Sequence, residues 1–243
     1  MRSEITYEDK DIIVIYKPAG LATQTAKVGQ PDVVSELKKH LAAETARRPA
    51  PPYLGIVHRL DQPVEGLLVF ARHKKAAAEL TRQLRGQGAE GENLLNKQYY
   101  AVFCGSPPKA EGQLVDYLVK TAEGKAAVVP EDAPGAKRAV LRYKVLGTAS
   151  VEDGTQVFLA DVRIDTGRFH QIRAQMAHAG MALLGDAKYG GGAVTELSRQ
   201  LEVRTVALCA YSLSLRHPVS GEPLTFTVRP RGNVFSRFGC LPT

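Results

Sequence analysis

Short apolar runs separated by charged or glycine-rich connections dominate the pattern of the chain. Residues 12–16 are β-branched apart from one tyrosine, and residues 66–72 hold four large apolar side chains in succession. Runs of this length and type indicate buried strands. The same pattern predicts further strands at residues 97–103, 114–119, 139–146, 156–164, 208–215 and 225–228. Asp153 and Gly154 mark a hairpin turn between two of them.

Helical spacing of apolar residues is confined to a few segments. It predicts helices over residues 32–46, 74–85 and 196–203, and a further helix that begins near Thr166 and Gly167. In that last helix Phe169, Ile172 and Met176 share one side, which we expect to be buried. Many strands with few helices between them favour the α+β class. We expect one domain over residues 1–243.

Composition narrows the class of partner. The net charge is +7 and the pI about 9.3, which suits a polyanionic partner because Lys and Arg displace counterions from phosphates. Three scattered cysteines are too few for a disulfide framework or a zinc site. There is no signal-peptide pattern at the N-terminus and no apolar run long enough for a membrane span. We therefore expect a cytoplasmic protein with no membrane partner.

The strongest candidate for chemistry is the charged loop that precedes the strand at residues 66–72. His58, Arg59 and Asp61 lie within four residues there, with Pro63 and Gly66 close behind. A carboxylate beside a guanidinium, on a loop that leads into a buried strand, is typical of a functional group held by a rigid scaffold. Taken alone, an Arg-x-Asp sequence is also compatible with a structural ion pair.

Several ordered motifs together resemble the RluA-type family of pseudouridine synthases. The first is His-Arg-Leu-Asp at 58–61, followed after four residues by Gly-Leu-Leu-Val-Phe-Ala-Arg. The others are Lys-Pro-Ala-Gly at 17–20, Lys-Gln-Tyr at 97–99, Gly-Arg-Phe-His-Gln-Ile-Arg at 167–173, Gly-Asp and Tyr-Gly at 185–190, and His-Pro with Gly-Glu at 217–222. The resemblance extends from about residue 11 to about residue 228. The chain is similar to the form of the family without an N-terminal RNA-binding module.

The resemblance implies a fold, an activity and a set of residues. The fold is a long, bent, mixed and mainly antiparallel sheet with flanking helices and a central active-site cleft. The activity is isomerisation of specific uridines to pseudouridine in structured ribosomal or transfer RNA, by a monomer that acts on RNA rather than DNA. Asp61 is then the catalytic carboxylate, Tyr99 the active-site tyrosine and Arg173 the arginine that pairs with Asp61. Residues assigned to RNA binding or base flipping are Arg59, His58, Arg168, His170 and Gln171.

The reaction itself requires no cofactor, because it involves neither redox chemistry nor group transfer. No phosphate-cradling glycine motif and no cluster with metal-ligand spacing is present in the sequence. Asp61 should be ionised at neutral pH, since an ordinary aspartic acid has a pKa of about 3.9 and a nearby guanidinium favours the charged form. The carboxylate could attack the base or sugar covalently, or assist departure of uracil and a proton shift at C2′. The sequence leaves both routes open.

One departure from the family pattern lies beside the candidate carboxylate. Val64 and Glu65 stand where the family usually has two small hydroxyl residues. We expect Glu65 to face away from Asp61, held by a local arginine, because a second negative charge there would not help a synthase. Two other functions remain possible: a catalytically idle RNA-binding relative, and a glycosidase that uses Asp61 with Glu65 or Asp186 as a second carboxylate.

Overall fold

Strands and a few helices make up the computed structural model, which describes residues 1–27, 29–44, 52–86, 94–151, 154–239 and 241. The predicted α+β class with mainly antiparallel strands is confirmed. The strands in this part of the chain are β1 (Glu4–Glu8), β2 (Ile12–Lys17), β3 (Gly55–Ile56), β4 (Glu65–Ala71), β5 (Asn96–Cys104), β6 (Glu111–Lys120), β7 (Ala126–Val129), β8 (Lys137–Ser150), β9 (Gln156–Ile164), β10 (Leu208–Arg216) and β11 (Pro223–Thr227). The helices are α1 (Val33–Glu44), α2 (Lys74–Leu84), α3 (Gln171–His178) and α4 (Gly191–Gln200), followed by a 3-10 helix at Asn233–Phe238.

The chain divides into two compact units. The first consists of Met1–Lys97 and Ala210–Val228, and the second of Gln98–Cys209 and Arg229–Thr243. The single domain, the bend of the sheet and the central cleft that the resemblance implies stay predictions. None of the helices in the described ranges is both long enough and apolar enough to cross a membrane.

The first unit is organised around two fully buried strands, β2 and β4. They pair antiparallel, with Ile15 opposite Leu68 and Tyr16 opposite Leu67, while β1 pairs with the other edge of β2. Both strands are apolar on both faces, as the continuous hydrophobic runs predicted. Side chains from β2, β4 and β10 pack with Ala76 and Leu80 of α2 in one core cluster. These two strands give the Asp61 loop a rigid base.

The second unit is an antiparallel sheet in the order β5-β9-β8-β6-β7. Strands β6 and β8 are longer than predicted, because their outer parts alternate between exposed and half-buried residues and so lack a continuous apolar run. Helix α3 packs near β6 and β7, where Ala174 joins a small cluster with Leu118, Ala126 and Ala139. Gly154 adopts the left-handed conformation expected of the predicted turn, whereas Asp153 lies outside the described residues.

The predicted start of α3 at Thr166 is wrong. The helix begins at Gln171, and His170 before it has a left-handed backbone with φ of 51°. Helical spacing therefore does not extend back to Phe169, which is 41% exposed instead of buried. Ile172 and Met176, which lie within the helix, are buried as predicted.

Candidate active site

The loop that carries Asp61 enters β4 where two backbones approach closely. Gly66 has φ of 124°, and a Cβ atom there would lie 2.4 Å from the carbonyl oxygen of Ala210. Only glycine combines this conformation with so close an approach. The glycine in the motif thus fixes where the loop ends and the buried strand continues.

Before that point the loop is docked on residues 17–23. Thr23 Oγ1 donates to the Leu60 carbonyl and accepts from the Leu60 amide, at 2.9 and 3.3 Å. The Gly20 amide donates to the Gln62 carbonyl at 2.8 Å, and Gln62 Nε2 returns a bond to the Gly20 carbonyl at 3.1 Å. These bonds hold the residues on both sides of Asp61. The Lys-Pro-Ala-Gly motif therefore supports the Asp61 loop.

Lys17 lies buried at the centre of this contact between residues 17–23 and the Asp61 loop, which we term the dock. Its Nζ donates to the carbonyl oxygens of Pro18, Leu21 and Gln62, at 3.0, 2.7 and 3.2 Å. Three acceptors match the three protons of an ammonium group. Burial lowers the pKa of Lys17 to about 7, while the negative charges of Asp61 and Glu65 oppose that change. Lys17 thus supports the loop, and its charged form places a positive charge near Asp61 at and below about pH 7.

Glu65 is buried at the first position of β4 and accepts a short hydrogen bond from the hydroxyl of Tyr16. Its carboxylate acts on Lys17 together with that of Asp61. The prediction that Glu65 faces away from Asp61, held by a local arginine, stays a prediction. Tyr16 and the nearby ammonium of Lys17 are partners of Glu65 that the sequence did not predict.

Two other residues of the loop differ in exposure. Arg59 is exposed, which is compatible with its predicted role in base flipping. His58 is buried, and its Nε2 accepts the Val69 amide at 3.3 Å. Burial, with the positive charge of Lys97, holds the pKa of His58 well below its usual range, so the ring is neutral. This side chain lies inside the fold, and its assignment to RNA binding or base flipping stays a prediction.

In the second unit Arg173 forms a buried ion pair with Asp186. Its Nε donates to Oδ2 at 2.7 Å and its Nη2 to Oδ1 at 2.8 Å, with both side chains nearly or fully shielded from solvent. Asp186 also caps the turn that follows, since Oδ1 accepts the amides of Lys188 and Tyr189. The sequence did not predict this pair. Pairing of Arg173 with Asp61, which lies in the other unit, stays a prediction.

Tyr189 joins this ion pair to the helix start. Its ring lies under the guanidinium of Arg173, with Cζ 5.1 Å from the ring centroid. Its hydroxyl accepts the Ala126 amide at 2.7 Å and shares a hydrogen bond of 2.8 Å with His170 Nδ1. The glycine of the same motif is fixed by packing, because a Cβ at Gly185 would lie 2.0 Å from the Thr205 carbonyl oxygen. The motif at residues 167–173 and the motif at residues 185–190 therefore contact each other through Arg173, Asp186, His170 and Tyr189.

The remaining predicted residues fall into three environments. Arg168 is exposed, and its Nε donates to the Arg138 carbonyl at 2.9 Å. Gln171 is buried, donates to the Val140 carbonyl and accepts from Thr166 and from the Arg168 amide. These bonds hold Gln171 inside the fold, and its assignment to RNA binding or base flipping stays a prediction. Tyr99 is buried on β5 opposite Val162, and its catalytic role stays a prediction.

A cluster of Asp9, Asp11 and His217 has the composition of a metal site but a different function. His217 Nδ1 accepts the Ser220 amide at 3.1 Å, so the ring proton is on Nε2 and points to Asp9 Oδ2 at 2.9 Å. His73 is arranged likewise, with Nδ1 accepting the Ala76 amide and Nε2 directed at Asp11. Neither imidazole offers a metal a lone pair. The cluster ties the turn after β1 to the turn after β10.

Replacing Lys17 with Met tests the dock. We expect the melting temperature to fall by at least about 5 °C, because three carbonyls lose their donor. A buried acceptor left without its donor, as at Leu21, costs about 1–3 kcal/mol, and removal of a buried charge offsets part of the loss. The pseudouridine formation that the resemblance implies should fall as well, since the loop of Asp61 loosens. Scanning calorimetry and an RNA modification assay measure the two effects.

Lys10→Met is the matched control, because Lys10 is exposed in the turn before β2. It should melt like the wild type.

The stability that Lys17 contributes should depend on pH. Its pKa of about 7 in the folded protein lies below that of an ordinary lysine, so the unfolded chain binds more protons between about pH 7 and 10.5. The contribution of Lys17 to the free energy of unfolding therefore rises with pH over this range. A stability difference between wild type and Lys17→Met that shrinks over this range would contradict the lowered pKa of Lys17.

Comparison with known proteins gives an independent result. The family model described as RNA pseudouridylate synthase matches residues 11–178. The chain is 31% identical over 227 residues to the ribosomal large subunit pseudouridine synthase D of Zymomonas mobilis, covering 92% of the chain and 68% of that protein. For the protein of the same name from Vibrio cholerae the identity is 35% over 233 residues, covering 91% and 65%. The chain thus spans about two thirds of the length of these relatives.

A solved structure supports the fold. Human RNA Pseudouridylate Synthase Domain Containing 4 superposes with a TM-score of 0.70 at 23% identity, covering 94% of this chain and 89% of that one. The family model covers Lys17, Gly66 and Arg173, and it ends before Gly185 and Asp186. The chain belongs to the RNA pseudouridylate synthase family.

Proposed function

We propose that this chain isomerises uridine to pseudouridine in RNA, with Asp61 as the catalytic carboxylate. The observation that carries the proposal is the support given to Asp61. The chain is a member of this family, and its Asp61 carboxylate is half-exposed. Residues 17–23 fix the Asp61 loop on both sides, and the ammonium form of Lys17 lies close to it. A preorganised charge of this kind is what a reaction at a sugar–base bond requires.

The chemistry needs only protein side chains. The N1–C1′ bond of the uridine breaks, the uracil turns, and C5 bonds to C1′, while the C5 proton leaves and N1 gains one. Asp61 serves either as nucleophile or as the group that assists uracil departure with a proton shift at C2′, and both roles need its charged form. Tyr99 would stack on the target base and assist removal of the C5 proton.

Access to the buried sugar–base bond requires base flipping, in which the target nucleotide leaves its helix. Arg59 is exposed and two residues from Asp61, so we assign it to the space that the base vacates. Arg168 and His170 are assigned to the RNA backbone and neighbouring bases. Arg173 would pair with Asp61 in addition to Asp186 and keep the carboxylate charged.

The substrate we propose is ribosomal RNA of the large subunit. Two relatives that the chain matches over most of its length are named as large-subunit synthases. The net charge of +7 agrees with an RNA partner but does not separate ribosomal from transfer RNA.

Pseudouridine mapping of total RNA from cells with and without the gene tests this function. We expect one or more sites in the large ribosomal RNA to disappear on deletion and to return with the wild-type gene but not with Asp61→Asn. Loss of sites only in transfer RNA would reassign the substrate. Unchanged modification everywhere, together with an inactive purified protein, would favour an idle RNA-binding relative.

A further inference from the structure

Phe169 is an exposed aromatic residue in the middle of a motif whose other side chains are mostly engaged. It is 41% exposed and lies between Arg168 and His170. A large apolar ring in this position gains little from burial in the fold itself. A single exposed apolar residue is common on protein surfaces, so the case for a recognition role rests on the support and the charge around this ring.

The backbone and the neighbouring ring hold Phe169 outward. His170 adopts φ of 51°, a conformation that costs a residue other than glycine roughly 1 kcal/mol or more. The rings of the two residues stack, with centroids 3.8 Å apart and planes within 19°. His170 is fixed in turn by the hydroxyl of Tyr189 at 2.8 Å. One face of Phe169 therefore rests on a rigid support.

One cation lies over the Phe169 ring, and further basic residues belong to the neighbouring segments. Lys120 Nζ lies 4.9 Å from the centroid of the Phe169 ring. Arg168 bonds to the Arg138 carbonyl, and Lys188 Nζ bonds to the Gly124 carbonyl in the turn after Lys120. These four exposed residues, Lys120, Arg138, Arg168 and Lys188, form what we term the basic rim. Exposed Glu123 is the acidic residue in the same turn, so the rim keeps an excess of positive charge.

We propose that Phe169 and the basic rim form a stacking platform for an unpaired base of the RNA. The proposal deepens the proposed function, since it takes RNA as the partner. A base would occupy the ring face that Lys120 covers, and the Lys120 ammonium would move to an adjacent phosphate. A π-face flanked by cations is the combination that single-stranded nucleic acid requires, because bases stack and phosphates need neutralisation. A protein partner would not require the excess of positive charge.

Binding of fluorescein-labelled oligouridylate to the full-length protein tests the platform. Phe169→Ala should weaken binding about tenfold, within the range that base–aromatic stacking gives on alanine substitution. Phe169→Tyr should bind like the wild type, whereas Phe169→Leu, which keeps an apolar side chain without a π-face, should be as weak as Phe169→Ala. Lys120→Gln should reduce the slope of log affinity against log salt by about 0.7.

Two controls separate stacking from folding and from charge. Leu146→Ala removes another side chain of similar exposure in the same unit and should leave binding unchanged. An abasic ribose-phosphate oligomer should bind wild type and Phe169→Ala equally. The platform is excluded if Phe169→Ala binds oligouridylate normally or Phe169→Leu binds as well as Phe169→Tyr. Tritium release by the wild type, measured separately, decides the proposed function, so either can fail alone.

Discussion

Asp61→Asn should abolish pseudouridine formation, with a fall in rate of at least about 1000-fold, equivalent to about 4 kcal/mol of activation free energy. The change keeps the shape of the side chain and removes the charge that both possible routes require. The loop should keep its place, because the bonds of Thr23, Gly20 and Lys17 reach backbone atoms of Leu60 and Gln62 and none of these atoms is altered.

Release of tritium from RNA that contains 5-tritiated uridine measures the reaction, since the C5 hydrogen is lost when the new bond forms. Asp132→Asn is the control, because it removes one exposed carboxylate elsewhere in the chain and should leave the rate unchanged. Melting temperatures of the two variants should match that of the wild type. Substantial release by a folded Asp61→Asn protein would remove Asp61 from the catalytic role and direct attention to Glu65.

Arg173→Met should destabilise the protein more than any other single change considered. It leaves the Asp186 carboxylate buried without its bidentate partner, a loss that typically costs about 3–5 kcal/mol. For a chain of this length that predicts a melting temperature lower by roughly 6–20 °C. Activity should fall further than the unfolded fraction explains, because we assign Arg173 to Asp61 as well.

The double variant Arg173→Met with Asp186→Asn separates the two roles. It removes both charges, while the asparagine oxygen can still accept the amides of Lys188 and Tyr189. Stability should recover in part, since an isolated buried charge is no longer present, but activity should not. Recovery of both would mean that Arg173 serves Asp186 alone, and an unchanged melting temperature in Arg173→Met would contradict the buried pair itself.

The sequence predicted the Asp61 loop and the strand that follows it, because a charged segment next to a long apolar run is a local pattern. It did not predict that Lys17 supports this loop, since the carbonyl of Gln62 is 45 positions away and a backbone acceptor leaves no sequence signal. The Arg173 and Asp186 pair was likewise hidden, although both residues stand in recognised motifs. Their place in two separate motifs could have suggested contact.

The error at Phe169 has a different cause. The apolar spacing of the helix continues back through His170 to Phe169 in the sequence. In the structure His170 turns the chain with a positive φ that is uncommon outside glycine. Histidine is among the residue types enriched at positive φ, but this preference is too weak to outweigh the apolar spacing. The ammonium of Lys17 near Glu65 was not predicted either, because Lys17 belongs to a separate motif of the sequence.

The dock between residues 17–23 and the Asp61 loop means that the loop is preorganised before the RNA binds. Its carbonyl and hydroxyl partners are satisfied internally, so the loop gains little by rearranging around a nucleotide. The distortion needed to bring a uridine to Asp61 must then come from the nucleic acid. Uridines in loops, bulges and mismatches, which give up few stacking contacts when they swing out, would be favoured over those in regular duplex regions. Selection among uridines would thus rest on how readily each RNA deforms as well as on its sequence.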